Sequence, residues 1–259
     1  RIEEGLKLLN RINDIKKEDD NLQNYYKNGD DVRLHNLVTQ EEEYERLAPN
    51  LVIEIKREKW DGEIGVDNRA FNIEENFKFN ETQYHLNSII CYSGGGNAGH
   101  YTSYIRCCGI NRESYLNGQW YYCNDDVISR PLTLKEVKEG SNKRFPADSS
   151  SVLMFYCLKK DINTEIPIGI INSSGVQCCF NSLIQCLYHN KIYKSTLKQL
   201  FKNDNSIYIQ RINNIFERMM KEKSKKKLVI NLSNELQTLY EIPFEIDPLI
   251  CNKKSLTDG

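Results

Sequence analysis

The stretch from Gly169 to His189 constrains the chain more than any other; it reads Gly-Ile-Ile-Asn-Ser-Ser-Gly-Val-Gln-Cys-Cys-Phe-Asn-Ser-Leu-Ile-Gln-Cys-Leu-Tyr-His. A glycine-broken turn feeds an apolar pattern with Leu183, Ile184 and Leu187 at helical spacing, which predicts a helix whose first turn holds Cys178. Backbone N–H groups at a helix N-terminus favour negative charge, and a thiol placed there can ionise well below its free pKa of about 8.5. A cysteine in such a pattern is ordinarily a small apolar core residue. An imidazole and an orienting amide elsewhere in the chain change that reading.

Both are present upstream. Tyr92 to Tyr104 reads Tyr-Ser-Gly-Gly-Gly-Asn-Ala-Gly-His-Tyr-Thr-Ser-Tyr, and Trp120 to Ser129 reads Trp-Tyr-Tyr-Cys-Asn-Asp-Asp-Val-Ile-Ser. A thiol nucleophile needs an imidazole to take its proton and an Asn or Asp to fix the tautomer of that imidazole. His100 supplies the first, and Asn124 or Asp125 the second.

These texts resemble the Cys box and His box of the ubiquitin-specific proteases, papain-like thiol hydrolases that cut after the C-terminal glycine of ubiquitin. Cys178 stands three residues before Asn181-Ser182, as the family's nucleophile does, and Cys179 takes the place of its usual aromatic neighbour. The resemblance implies that His100 is the base, that Asn124 orients it, and that Asp125 is the adjacent acid that shares or supports that role. Asn172 matches the oxyanion-hole amide. The span from Asn172 to Gly175 holds one residue more than the family's Asn-x-Gly, so either the turn is bulged or Ser173 takes the position. Gly99, Tyr101 and Tyr104 are the residues expected along the substrate cleft. The implied fold is α+β and papain-like, with a helical thumb, a β-sheet palm and fingers absent or reduced. The implied partners are ubiquitin and ubiquitinated proteins, with no cofactor and no metal.

The order of the boxes is inverted relative to the family, in which the Cys box comes first. Catalysis depends on placement in space, and unrelated proteases hold the same groups in different chain orders. A circular permutation accounts for the inversion: Ser151 to Leu158 resembles the palm's closing strand, and Lys159 to Ile168 can reach roughly 30 Å when extended. The expected organisation is a single catalytic domain over 1–259. It divides into a helical segment over 1–46, a β-rich palm with the His box over 47–160, a linker over 161–168 and a helical thumb with the Cys box over 169–259.

Two other readings fit parts of the pattern. Adenain-like enzymes that process SUMO and related modifiers have the order His, Asp/Asn, Cys, but lack the Gly-His-Tyr and Cys-x-x-Asn-Ser texts and place a Gln several residues before the Cys, where this chain has Gln177 adjacent. A non-catalytic ubiquitin-binding scaffold would accommodate Gln177, Cys179 and the extra turn residue, but not an intact triad.

A net charge of -1 over 259 residues gives no general attraction to nucleic acid or acidic membranes, and no run of about 18 apolar residues marks a membrane span. Nine cysteines with no Cys-x-x-Cys argue for a reducing, cytoplasmic setting and against a structural zinc site. The Lys221 to Lys227 run reads as a solvated loop compatible with nuclear targeting. Strands are expected at Leu51–Arg57, Phe71–Phe79, Tyr84–Tyr92 and Ser151–Leu158, and helices at Leu134–Gly140, Tyr193–Asn203, Ile207–Lys223 and Asn231–Tyr240. Gly94 to Gly96 are expected to form a mobile turn with positive φ. His35, His85 and His189 lack partnered motifs, with His189 read as a capping or surface residue.

Overall fold

The computed structural model describes residues 47–60, 64–95, 98–107, 118–141, 144–158, 165–203 and 206–246. The expectations for 1–46, His35, Cys108, Gly96, most of the linker and the end of the chain beyond Ile246 lie outside these residues.

The first half is a sheet. Its strands are β1 (Asn50–Glu54), β4 (Asn76–Phe79), β5 (Thr82–Gly94), β6 (Gly99–Cys107), β7 (Gln119–Asn124), β8 (Val127–Ile128) and β9 (Ser151–Leu158), hydrogen-bonded in the order β1-β9-β5-β6-β7-β8 with β4 beside β5. A separate short pair joins β2 (Glu58–Trp60) to β3 (Ile64–Val66). Strand β5 holds the sheet together because it is long and apolar on both faces. Tyr84, Leu86, Ile89 and Cys91 belong to one core, while Ile90 belongs to another. Strict alternation would not put Leu86 and Ile89 on one face; the bulge between Leu86 and Ser88 against β9 shifts the phase by one residue.

The first core packs under the short helices α1 (Leu134–Glu139) and α2 (Ala147–Ser150). Helix α1 starts at a reciprocal capping box, with Thr133 and Glu136 each bonded to the other's backbone N–H. The expected strand over 71–79 is shorter than its alternation suggests. Only Asn76–Phe79 enters the ladder; Ile73, 1% exposed, fills the core from irregular backbone, and the Phe71 N–H donates to the Asp148 carbonyl at 3.1 Å. The alternation there reports burial against α2, not strand pairing.

The second half is helical: α3 (Cys178–Tyr188), α4 (Lys191–Asn203), α5 (Ile207–Ser224) and α6 (Ser233–Ile246), with the parallel pair β10 (Gly169–Ile170) and β11 (Val229–Ile230). Its core gathers Ile184, Tyr188, Leu197, Ile215, Phe216, Met219, Leu236 and Leu239. Asn231 does not join α6 as expected; its Oδ1 accepts the Ser233 N–H at 2.9 Å from outside the helix, which runs past Tyr240 to Ile246.

The two halves meet where α3 lies on the second sheet face, Cys186 and Leu187 packing with Ile90, Ile105, Tyr121 and Phe155. Glu165 secures the segment entering the helical half. Its carbonyl accepts from Cys107 Sγ on β6, and its carboxylate takes Lys194 at 3.3 Å and Lys223 at 3.1 Å. Burial raises the Glu165 pKa, but the two lysines outweigh it and leave it below the usual value. His189 stands at the C-cap of α3, as one of its two expected readings has it, but it is not on the surface. It is 1% exposed beside Tyr188, and burial, then Lys223 and Lys194, hold it well below the usual imidazole pKa. It is a neutral core histidine.

Candidate active site

Helix α3 opens at Cys178, with Gln177 as N-cap whose side chain makes no capping bond to the helix. The first-turn N–H groups and the positive end of the helix dipole therefore bear on the Cys178 thiol. Cys178 itself is only 6% exposed. His100 on β6 and the backbone N–H of Tyr101 are the groups that act on the sulfur against its burial, both favouring the thiolate.

The imidazole is held from behind by Asn124 at the end of β7, whose Oδ1 is 2.6 Å from His100 Nε2. That contact leaves Nδ1 for the thiol. The Phe145 ring stands edge-on to the imidazole at 6.1 Å. Hydrogen bonding to Cys178 raises the His100 pKa most; burial opposes it, and Asn124 and Asp125 add to it, for a value of about 9. Burial raises the Cys178 pKa, but the His100 hydrogen bond, the Tyr101 N–H and the imidazolium charge outweigh that and leave it below the usual thiol value. Each shift favours the charged form of the other group, thiolate on Cys178 and imidazolium on His100. Cys179, one residue on, is exposed as a residue, yet crowding around its thiol and then Cys178 push it up to about 11.

Asp125 sits apart from this pair. Its Oδ2 is 4.0 Å from His100 Nε2, whereas its carboxylate accepts from Asn172 Nδ2 at 3.1 Å and from Asn181 Nδ2 at 2.8 Å. Its backbone takes a left-handed φ of 51°, which aims both its carbonyl and its side chain at the helical half. The Ile170 N–H donates to that carbonyl at 2.9 Å. Sequence reasoning named Asn181 in a motif without giving it a place in the site. The signal was available, since a residue three past Cys178 on a helix shares its face.

The extra residue in the oxyanion turn is accommodated as a bulge. Asn172, not Ser173, faces Asp125, and its Oδ1 accepts the Gln177 N–H at 3.1 Å. Gly175, at φ 75°, absorbs the added length, and Ser173 turns outward. One Asn172 N–H is thus committed to Asp125.

The three residues expected along the cleft separate. Tyr101 is partly buried and packs its ring 4.8 Å from Tyr92. Gly99 pairs with Gly94 at the mouth of the β5–β6 connection. Tyr104 does not line the cleft. It is 0% exposed, packs on Tyr122 and donates its hydroxyl to the Phe145 carbonyl at 2.7 Å. Phe145 closes over it, a cover contributed from a distant stretch of chain. The glycine run also differs from expectation, because Gly94 and Gly95 do not take a positive φ. Close approach needs Gly94 and Gly99 instead, whereas a Cβ on Gly95 would meet nothing within 4 Å: a Cβ on Gly94 would stand 2.3 Å from Gly99 Cα, and one on Gly99 would stand 2.2 Å from the Tyr92 ring. No cluster of His, Cys, Asp and Glu among the described residues is arranged to hold a metal ion.

The model of the ubiquitin carboxyl-terminal hydrolase family matches residues 8–156, more than half of the chain. The chain belongs to that family. The match contains His100, Asn124 and Asp125 and ends before the Cys178 segment. Among solved structures, the chain is similar to Ubp8-Sgf11-Sgf73-Sus1, the SAGA DUB module, with 21% identity and a TM-score of 0.33 over 44% of this chain and 24% of that one. A second such structure, of yeast SAGA DUBm, gives 21% identity, a TM-score of 0.32, and 43% and 24% coverage. A third, of the module bound to monoubiquitin, gives the same figures. The chain thus spans about a quarter of the length of these neighbours. The comparison with curated proteins finds no match.

Proposed function

We propose that this member of the ubiquitin carboxyl-terminal hydrolase family is a thiol protease that hydrolyses the peptide or isopeptide bond after the C-terminal glycine of ubiquitin. The observation that carries the reading is the convergence of Cys178, His100 and Asn124 from three separate elements, with Asn124 Oδ1 2.6 Å from His100 Nε2 and His100 favouring the Cys178 thiolate. In this reading the Cys178 thiolate attacks the glycine carbonyl carbon, and the charge developing on its oxygen is met by the second Asn172 N–H and backbone donors at the start of α3. The C–N bond then breaks as the His100 imidazolium passes its proton to the leaving amine, forming a thioester. The neutral imidazole next takes a proton from water, hydroxide adds to the thioester carbonyl, and the C–S bond breaks to restore the thiolate and release the carboxylic acid, which ionises to solvent. Asn124 keeps Nδ1 aimed at the sulfur throughout. Asp125 acts through Asn172 and Asn181, holding the two halves of the site in register.

A permuted chain order is part of the proposal. The sheet half leads directly into the Cys-box half, and the segment between them is fastened to both through Glu165.

The test is incubation with ubiquitin carrying a C-terminal electrophile, read by intact mass and peptide mapping. An adduct on Cys178, abolished by Cys178→Ala and retained by Cys179→Ala, is the expected result. Failure of the parent chain to form an adduct, with labelling instead by a SUMO-derived probe, would replace ubiquitin with the other modifier. Binding without any adduct would leave a scaffold.

A further inference from the structure

We propose that Ser233 and Gln177 are positioning residues that hold the oxyanion turn from the helical side, so that α6 is part of the catalytic support. The proposal rests on the thiol-hydrolase reading of the site and deepens it.

The turn from Asn172 to Gln177 is long, carries a residue beyond the family pattern and bends through Gly175 at φ 75°. Such a segment has conformational freedom that its function cannot tolerate, because its last residue directly precedes the nucleophile. It is pinned on the sheet side by the Asn172 bond to Asp125, and at its base by the Gln177 N–H on Asn172 Oδ1.

A third restraint comes from α6. Ser233 Oγ donates to Gln177 Oε1 at 3.4 Å, and the Ser173 and Ser233 hydroxyls share a hydrogen bond. Each serine hydroxyl has one proton, so the direction is fixed. Ser173 donates to Ser233, and Ser233 donates to Gln177. Ser173, in the lengthened turn, supplies the outer end of this relay, and Gln177, 5% exposed, supplies the inner end. Ser233 is a firm anchor, with its N–H on Asn231 Oδ1 at 2.9 Å and Leu236, 0% exposed, one turn along in the helical core. Two of the departures from the family pattern, the lengthened turn and Gln177 before the nucleophile, therefore lie in one hydrogen-bonded chain. Its effect is to fix the backbone of residues 177 and 178, where the oxyanion donors lie.

Displacement of a reacting group by about 1 Å costs on the order of 100-fold, so a loosened turn is expected to lower kcat by about 5- to 20-fold. Because neither serine touches His100 or Cys178, both limbs of the pH profile should stay in place and KM should hold within about twofold. The experiment compares Ser233→Ala, Ser233→Thr and Ser173→Ala with the parent chain. It measures ubiquitin-aminomethylcoumarin hydrolysis normalised to titrated active sites, and hydrogen exchange of the peptide spanning 172–178. Expected are a lower kcat and faster exchange in Ser233→Ala, a smaller change of the same sign in Ser173→Ala, and recovery in Ser233→Thr, which keeps the hydroxyl. Unchanged exchange across 172–178 in Ser233→Ala overturns the proposal whatever the activity. So does an unchanged kcat, or a loss that Ser233→Thr fails to restore. A parent chain inert toward ubiquitin would instead defeat the functional reading, with the exchange comparison still deciding the restraint.

Discussion

Removal of the Asn124 amide is the perturbation that most directly probes the site. The acceptor Oδ1 lies 2.6 Å from His100 Nε2, and in the resting pair the donor is an imidazolium. A hydrogen bond to a charged group contributes about 1.5–3 kcal/mol. At about 1.36 kcal/mol per tenfold, Asn124→Ala should therefore lower kcat/KM by about 10- to 150-fold. The pH profile adds a second, independent reading. Activity requires the imidazolium proton, and His100 is raised to about 9, so the alkaline limb of the parent should fall near that pH. Cys178 lies below the usual thiol value, which places the acid limb to the acid side of free-thiol ionisation. Asn124 is among the groups that raise His100; its loss moves the alkaline limb to lower pH, and Asn124→Asp, which puts an anion in its place, moves it higher.

The assay is steady-state hydrolysis of ubiquitin-aminomethylcoumarin between pH 5 and 10, with each variant titrated by ubiquitin electrophile so that only competent sites are counted. The result that would refute the reasoning is a loss below about threefold in Asn124→Ala with an unmoved alkaline limb. Asp125, 4.0 Å from Nε2, would then be the orienting group.

Other consequences can be checked by stability and labelling. Tyr104→Phe removes the bond to the buried Phe145 carbonyl and should cost about 1–2 kcal/mol of stability in denaturant titration, with kcat per titrated site unchanged because the residue lies behind the cleft. Gly99→Ala forces its Cβ against the Tyr92 ring and should cost about 1–3 kcal/mol; Tyr92→Ala in the same chain should recover much of that, so a simple sum of the two single effects would speak against the contact. Glu165→Gln weakens the link to Lys194 and Lys223. The carboxylate side chain is 41% exposed, so after solvent screening the loss is about 0.5–1 kcal/mol at neutral pH. Its folded pKa is depressed, so the contribution is present above the ordinary carboxylate value and disappears as pH falls through the folded value. Parent and variant should therefore converge in stability in acid, and a gap that persists at low pH would contradict the ionic account.

Much of the site was legible because its signals are local. The position of Cys178 at the start of α3 follows from a turn running into a 3.6-residue apolar period, and His100 and Asn124 lie on consecutive strands that pair antiparallel, as sequential strands do by default. What sequence could not supply was what covers what. Tyr101 and Tyr104 look alike beside His100, yet one lies by the cleft and the other is sealed by Phe145 from a distant loop. His189 has no local partner to announce it, and only the packing of α4 and α5 buries it beneath two lysines. The strand alternation at Phe71 and Ile73 is real as burial and misleading as pairing, because α2 takes the place a strand would occupy.

The proposed inverted chain order is compatible with the proposed site because the bonds that assemble it are lateral. At Asp125 the carboxylate binds Asn172 and Asn181, the carbonyl binds the Ile170 N–H, and the next residue along, Asp126, lies so close to Gly169 that a Cβ there would approach its carbonyl oxygen to 2.3 Å. Four contacts thus register one turn of the sheet half against the entry to the helical half, and none depends on which half is synthesised first. The left-handed φ of Asp125 is what brings carbonyl and carboxylate to the same side. Strain of this kind persists only where surroundings over-determine it, and here two amides and a backbone N–H do so. Chain direction enters only through the connecting segment, whose described end is fastened by Glu165 to Cys107 on one side and to Lys194 and Lys223 on the other. Permuting the chain therefore changes the entropy of bringing the halves together, a term that grows only slowly with the length of the connection, and leaves the geometry around Cys178 to the side chains that define it.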